Sequence, residues 1–112
     1  MFTRDELEFI GNLCKQHNVI ALMDEVYEWI VYDGQTHVRM ASLPGMWENT
    51  ITVGSAGKTF SATGLKLGWA YGPKRLIKPL QLIHQNSKFL TNGSMVATLR
   101  SSFKRCGRSQ KI

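Results

Sequence analysis

Residues 50–58, TITVGSAGK, join a β-branched run to a turn of small residues that ends in a lysine. β-Branched residues favour strands, and the Gly-Ser-Ala-Gly segment interrupts the run because such residues favour turns. The sequence therefore predicts a strand over residues 50–53, followed by a tight turn that presents Lys58.

A helix and another strand precede this stretch. Residues 3–6, TRDE, have the capping-box pattern, and apolar residues recur after them at helical spacing, which predicts a helix over residues 3–17. Asn18 ends that helix. Residues 19–23, VIALM, are apolar throughout, as in a strand buried on both faces of a parallel sheet, and they stop at Asp24.

A third strand and a second long helix follow the lysine. Residues 67–71, LGWAY, predict a strand, and apolar spacing predicts a helix over residues 74–89. Pro79 would be tolerated in that helix only near the first turn or at a kink. This order of elements is typical of an α/β fold. Residues 101–112 are polar and basic, so we expect a disordered tail there.

Composition is that of an ordinary soluble domain, with 112 residues of which 43% are hydrophobic and 20% charged. No apolar run approaches the roughly 20 residues that span a bilayer. Residues 1–8 do not resemble a secretory signal, so we expect the cytoplasm as the compartment. Cys14 and Cys106 are isolated, which predicts no metal site and a free, buried thiol at Cys14.

Charge is divided unevenly along the chain. Residues 1–48 contain all eight acids and three of the bases, whereas residues 49–112 contain eleven bases and no acid. Such a basic segment is typical of proteins that bind nucleic acid, an anionic membrane or a phosphorylated ligand. It is also expected if the chain is part of a larger protein whose acidic residues lie elsewhere. Composition does not choose between these alternatives.

Two other motifs run through Lys58, and spacing excludes both. A nucleotide phosphate-binding loop has the pattern G-x-x-x-x-G-K-[ST], but Thr52 stands where its first glycine belongs. Ser55 and Lys58 also fit the S-x-x-K pattern of penicillin-recognising enzymes. The S-D-N and K-T-G motifs that accompany it in those enzymes are missing here, so this interpretation fails.

A third interpretation, a lysine that forms a Schiff base with an aldehyde cofactor, uses more of the chain. It requires a reactive amine, a carboxylate for a pyridine nitrogen, and donors for a phosphate. The ends of parallel strands share one edge of a sheet, so side chains that follow them meet at one crevice. The candidates that follow predicted strand ends are Asp24, Tyr27, Ser55, Lys58 and Lys66.

The segments around these residues resemble the class I aminotransferases of fold type I, which depend on pyridoxal 5'-phosphate (PLP). The resemblance is carried by residues 23–27, MDEVY, 54–61, GSAGKTFS, and 63–69, TGLKLGW. Residues 41–48, ASLPGMWE, and 84–87, HQNS, are similar to the kynurenine aminotransferases, also known as glutamine transaminase K and cysteine-S-conjugate β-lyases. The resemblance extends from about residue 2 to residue 89 and then fades.

The resemblance implies a fold and a role for each candidate. Residues 1–100 would be part of a PLP-binding large domain, α/β in class, with a mostly parallel sheet flanked by helices. Lys58 would be the catalytic residue that carries PLP, and Asp24 would pair with the pyridine nitrogen. Tyr27 would hydrogen-bond the ring oxygen, and the phosphate would be held by Ser55 and Lys66.

The implied activity is PLP-dependent transamination of kynurenine, glutamine or an aromatic amino acid to the 2-oxo acid. A leaving group on the β-carbon would allow cysteine-S-conjugate β-lyase activity as well. The implied partners are these substrates and a second subunit, since the family is homodimeric, with no nucleic acid and no membrane. Phe89 matches an aromatic residue that reaches toward the partner subunit, whereas Leu90 stands where a histidine is expected.

Two or three strands with two helices leave sheet edges and faces uncovered, so the chain reads as an excerpt. By comparison with the family, an N-terminal arm would precede this chain and a small domain would follow it. A full-length parent protein would be expected in the cytoplasm or the mitochondrion. We therefore expect the 112-residue chain to be inactive alone. One alternative is a non-catalytic truncated isoform that acts as an interaction fragment. The other is a nucleic-acid-binding module, but the sequence contains no motif that reads bases, which argues against it.

Overall fold

The computed structural model describes residues 1–87. Within them the chain forms three strands and three α-helices in an α/β arrangement, as predicted: α1 (Arg4–Gln16), β1 (Ala21–Asp24), β2 (Thr50–Ser55), α2 (Ala56–Thr59), β3 (Gly68–Tyr71) and α3 (Lys74–Ser87). Short 3-10 turns lie at Met40–Ser42, Trp47–Asn49 and Thr63–Leu65. The predictions for Phe89, Leu90, Cys106 and the tail at residues 101–112 lie outside the described residues.

Helix α1 begins with the predicted capping box. The backbone N–H of Thr3 donates to Oε2 of Glu6 at 2.7 Å, and the N–H of Glu6 donates to Oγ1 of Thr3 at 3.3 Å. Two orphan donors at the helix start are thereby satisfied. The prediction of a helix over residues 3–17 is confirmed. Cys14 is a free thiol, as expected, but it is only half-buried, because it lies at the margin of the core.

The sheet has the order β1-β2-β3 and is mixed. β1 and β2 are parallel, with Asp24 opposite Val53, whereas β2 and β3 are antiparallel, with Ser55 opposite Gly68. A mostly parallel sheet was expected, and the difference lies in β3. The short segment 56–67 reverses the chain direction, while the longer segment 25–49 allows the crossover that a parallel pair needs.

The core lies on the face of the sheet that α1 covers. It consists of Leu7, Ala21, Met40, Leu43 and Met46. On the opposite face Leu22 is 67% exposed, so the prediction that β1 is buried on both faces is wrong for the described residues. Alternation along the strand turns Leu22 away from α1, and α3 lies beside β2 and β3 rather than over this edge strand.

Helix α3 runs through Pro79, which lies in its second turn rather than in the first. Proline there removes one backbone donor from the helix. In the described part of the chain, no helix is long and apolar enough to cross a membrane.

The capping box predicts an acid-sensitive step in stability. Hydrogen bonds from the backbone and side chain of Thr3 lower the pKa of Glu6 below its ordinary value of 4.5. The stabilisation is therefore complete above pH 4.5 and is lost as the pH falls through the lowered pKa. Thermal melts of wild type and Glu6→Gln, followed by circular dichroism, should differ near neutral pH and converge in acid. A difference that grows towards acid pH would contradict this assignment.

Candidate active site

The parallel pairing of β1 and β2 brings two strand ends to the same edge of the sheet. Asp24 is the last residue of β1, and its register partner Val53 precedes Ser55, the last residue of β2. The polar residues that follow both strands therefore share one edge, which is where ligands bind in open α/β sheets.

The turn after β2 holds Lys58 on a short helix. Ser55 is the N-cap residue of α2, and its Oγ accepts a hydrogen bond from the N–H of Gly57 at 3.2 Å. The N–H of Ala56 donates to the carbonyl of Leu67 at 3.0 Å, which ties the start of α2 to the segment that enters β3. The side chain of Lys58 projects from this fixed backbone into solvent.

Close backbone packing brings Lys66 to the same turn. A Cβ atom at Gly57 would lie only 3.0 Å from Cα of Thr63, so the two segments approach as closely as a glycine allows. The 3-10 turn Thr63–Leu65 then ends at Lys66, which has left-handed backbone angles (φ 48°, ψ 41°). Its N–H donates to the carbonyl of Thr63 at 3.3 Å.

These segments enclose an open cleft of about 430 Å³, lined by Ser55, Gly57, Lys58, Thr63, Lys66, Leu67 and Gly68. The volume is within the range of roughly 300–1,000 Å³ that is common for small-molecule sites. Two lysines and two hydroxyl residues, Ser55 and Thr63, line the cleft, and none of the described residues that line it is acidic. Such a set of donors suits an anionic group such as a phosphate.

Tyr27 contacts the lysine from the turn after β1. This turn is closed by the N–H of Glu28, which donates to the carbonyl of Glu25 at 3.0 Å. The Nζ atom of Lys58 lies 5.4 Å from the centroid of the Tyr27 ring. An ammonium group over an aromatic face at this distance gains about 0.5–1 kcal/mol at an exposed site.

An ion pair between Arg39 and Glu28 fixes the end of the Tyr27 turn that lies away from β1. Arg39 donates to Oε2 of Glu28 at 2.6 Å and lies 5.7 Å from the centroid of the Trp29 ring. Burial alone would lower the pKa of Arg39, but the hydrogen bond and the charge of Glu28 outweigh it and raise the pKa. Arg39 thus remains charged, and the pair ties the turn to the segment that precedes Met40.

Asp24 lies at the same edge but outside the cleft lining. Its Oδ1 accepts a hydrogen bond from the N–H of Val26 at 3.3 Å, and the residue borders a smaller cavity of about 90 Å³. The structure thus brings Ser55, Lys58 and Lys66 to one cleft and places Tyr27 against the lysine. Asp24 stays further back because β2 continues for two residues beyond the position that pairs with it.

Two residues near the site were not among the predicted ones. Thr63 lines the cleft, and its position depends on the close approach to Gly57, which local sequence does not reveal. Glu25 is only 4% exposed and lies behind the turn that carries Tyr27. The alternation of β1 contains a signal for it, since Glu25 falls on the inward face together with Ala21 and Met23.

Comparison with known proteins connects this geometry to a family. The profile described as "Aminotransferase class I and II" matches residues 1–104, which extends past residue 89, where the sequence resemblance was expected to fade. Human kynurenine–oxoglutarate transaminase 1 is 54% identical over 105 residues, which are 94% of this chain and 25% of the relative. Mouse kynurenine–oxoglutarate transaminase 3 is 55% identical over 103 residues, which are 92% of this chain and 23% of the relative.

Solved structures have the same fold. The N-succinyldiaminopimelate aminotransferase of Mycobacterium tuberculosis aligns with a TM-score of 0.75 and 34% identity, over 92% of this chain and 30% of that chain. A PLP-bound protein from Clostridium difficile 630 aligns with a TM-score of 0.75 and 31% identity, over 82% of this chain and 24% of that chain. The chain thus spans about a quarter of the length of the relatives it matches.

The contact between Tyr27 and Lys58 predicts a measurable ring-current shift. In the wild-type chain, the side-chain protons of Lys58 should resonate upfield of the other lysines in a proton–carbon correlation spectrum. Tyr27→Leu should remove this shift, because it removes the ring beneath Nζ. Tyr32→Leu, at a residue that is 73% exposed, is the matched control and should leave the shift unchanged. A shift that survives Tyr27→Leu would contradict the contact.

Proposed function

We propose, since the chain belongs to the aminotransferase class I and II family, that it is the cofactor-anchoring part of a PLP-dependent aminotransferase. The observation that carries this proposal is the convergence of Ser55, Lys58 and Lys66 on one cleft, with the Tyr27 ring against the lysine amine. The names of the similar transaminases support kynurenine or a related amino acid as the amino donor and oxoglutarate as the acceptor.

The residues of the cleft fit PLP. The cofactor has a phosphate, an aldehyde and a pyridine ring. Ser55 and Lys66 would hold the phosphate with a hydroxyl and an ammonium group, and Lys58 would offer an amine to the aldehyde. The left-handed turn at Lys66 and the glycine at position 57 keep the backbone close enough for these groups to face one space.

Each residue has a separate task in transamination. When bound, PLP supplies an electron-poor ring that stabilises negative charge at the α-carbon of the amino acid. Lys58 would hold the cofactor and, once its amine is free, would take the proton from the α-carbon of the amino acid and deliver it as a general acid to the carbon derived from the cofactor aldehyde. The carboxylate of Asp24, at the same edge of the sheet, would keep a proton on the pyridine nitrogen. The hydroxyl of Tyr27 would donate a hydrogen bond to the ring oxygen, and its ring would limit the motion of the Lys58 amine.

The partners of the complete protein follow from the same assignment. We propose amino acids and 2-oxo acids as substrates, a homodimer as the assembly, and the cytoplasm as the compartment. Cysteine-S-conjugate β-lyase activity is proposed for substrates that have a leaving group on the β-carbon, since the same proton abstraction initiates it.

The first prediction is that PLP attaches at Lys58. The 112-residue chain would be incubated with an equimolar amount of PLP, reduced with borohydride, digested and analysed by mass spectrometry. Lys58 should be labelled in preference to the other lysines, because its amine lies beside the proposed phosphate site of Ser55 and Lys66, and Lys66 would be engaged by the phosphate. Lys58→Arg should lose the label, and the control Lys74→Arg, on the surface of α3, should keep it. Predominant labelling of another lysine would refute the proposal.

The second prediction is that this chain does not catalyse transamination by itself. Lys58, Tyr27 and Asp24 are all exposed, so among the described residues the cleft does not exclude water. An assay with kynurenine and 2-oxoglutarate should give no turnover above that of free PLP. Turnover above this background that disappears in Lys58→Ala would show that the chain is active.

A second candidate function, an interaction fragment, is favoured by the uncovered side of β1. Leu22 is 67% exposed, and Val19 and Ile20 are each 50% exposed, beside a strand edge that no other described strand pairs. Such an edge is a template for association with another chain. The labelling experiment separates the two candidates, because an interaction fragment requires no preference for Lys58.

A further inference from the structure

Glu25 is a buried acid directly behind the proposed cofactor site. Its side chain is 3% exposed, whereas that of its neighbour Asp24 is exposed on the opposite side of the strand. Oε1 of Glu25 accepts a hydrogen bond from the N–H of Met40 at 3.2 Å. Burying a carboxylate is costly unless it is paired, so this arrangement needs compensating contacts.

Polar and charged groups around Glu25 supply part of that compensation. Nε2 of His37 lies 3.6 Å from Oε2, and Arg39, which pairs with Glu28, also interacts electrostatically with Glu25. Tyr71 faces the same group from β3. Burial raises the pKa of Tyr71, and the charges of Glu28 and Glu25 add to that increase. The carboxylate of Glu25 therefore lies where several elements meet.

The backbone of Glu25 joins the same elements. Its N–H donates to the carbonyl of Val53 at 3.0 Å, which extends the β1–β2 pairing by one bond. Its carbonyl accepts from the N–H of Glu28 at 3.0 Å, which closes the turn that contains Tyr27. Glu25 thus connects β2 and the Tyr27 turn through its backbone, and the 3-10 turn at Met40 through its side chain.

We propose that Glu25 is a positioning residue, whose carboxylate holds the Met40 N–H and thereby fixes the turn that places the Tyr27 ring over the Lys58 amine. The benefit to cofactor chemistry rests on the function proposed above. The positioning itself is a property of this chain without cofactor, so it can be measured separately.

Three substitutions of Glu25 distinguish the effect of side-chain length from the effect of charge. Glu25→Ala removes the acceptor, Glu25→Asp keeps the charge but shortens the side chain, and Glu25→Gln keeps the length and an acceptor oxygen but loses the charge. The readout is the upfield shift of the Lys58 side-chain protons in the cofactor-free chain. It should be lost in Glu25→Ala and Glu25→Asp and kept in Glu25→Gln.

A wild-type shift in Glu25→Ala or Glu25→Asp would overturn the proposal, as would its loss in Glu25→Gln. If Glu25→Ala does not fold, the comparison of Glu25→Asp with Glu25→Gln decides. Glu8→Ala removes an exposed acid from α1, and Met46→Ala lowers stability by leaving a cavity in the core. Both should keep the shift below their melting temperatures, and its loss in Met46→Ala would indicate general destabilisation and overturn the proposal.

A cofactor readout links the positioning to chemistry. Trapping of PLP at Lys58 by borohydride should be about tenfold slower in Glu25→Ala than in wild type, because a misplaced reacting group slows the reaction. It should recover in Glu25→Gln. If the wild-type chain is not labelled at Lys58, the proposed function fails, while the proton shifts still test Glu25. Equal trapping rates in wild type and Glu25→Ala would overturn the proposed positioning effect.

Discussion

The parallel pairing of β1 with β2 is the constraint on which the candidate site depends. It sets Asp24 opposite Val53, so the turns after both strands emerge at one edge of the sheet. Without that register, Tyr27 and Lys58 would belong to unrelated loops, although 31 positions separate them in a chain of 112 residues. A slip by one residue would turn every side chain of β1 to the other face and would exchange the buried Glu25 for the exposed Asp24.

The candidate site also requires a concave space beside Lys58, and the close approach of two backbone segments provides it. Gly57 allows the Thr63 segment to approach, and the left-handed conformation of Lys66 turns that segment back towards β3. A β-branched residue at position 57 would collide with Thr63, and left-handed angles are unfavourable for most side chains. The cleft is therefore defined by backbone conformation, and its charge comes from two lysines that the backbone holds on either side.

Local patterns made several features predictable. The capping box at Thr3 and the helical spacing after it determine α1 through contacts within a few residues of each other. The β-branched run at residues 50–53 and the small residues after it mark β2 and the turn to Lys58. The positions of Asp24 and Ser55 at strand ends were predictable as well, because each follows an apolar or β-branched run in the sequence.

Non-local features were not predictable in the same way. The direction of β3 depends on how the segment 56–67 folds back, and the exposure of Leu22 depends on where α3 packs. Alternation along β1 places Glu25 on the inward face, but the contact that satisfies its buried carboxylate comes from the N–H of Met40, fifteen residues later. The apolar run 19–23 concealed the alternation of β1, since both of its faces have apolar side chains although only one of them is buried.

The turns after β1 and β2 are proposed to form one PLP site around Lys58. An amide chemical-shift map of the isotope-labelled chain, recorded during titration with PLP, tests this proposal without requiring catalysis. We expect the largest shift changes at Gly57, Lys58 and Lys66, with smaller changes at Tyr27. Changes concentrated at Lys74 and Lys78 on α3, with the amides around Lys58 unaffected, would contradict it.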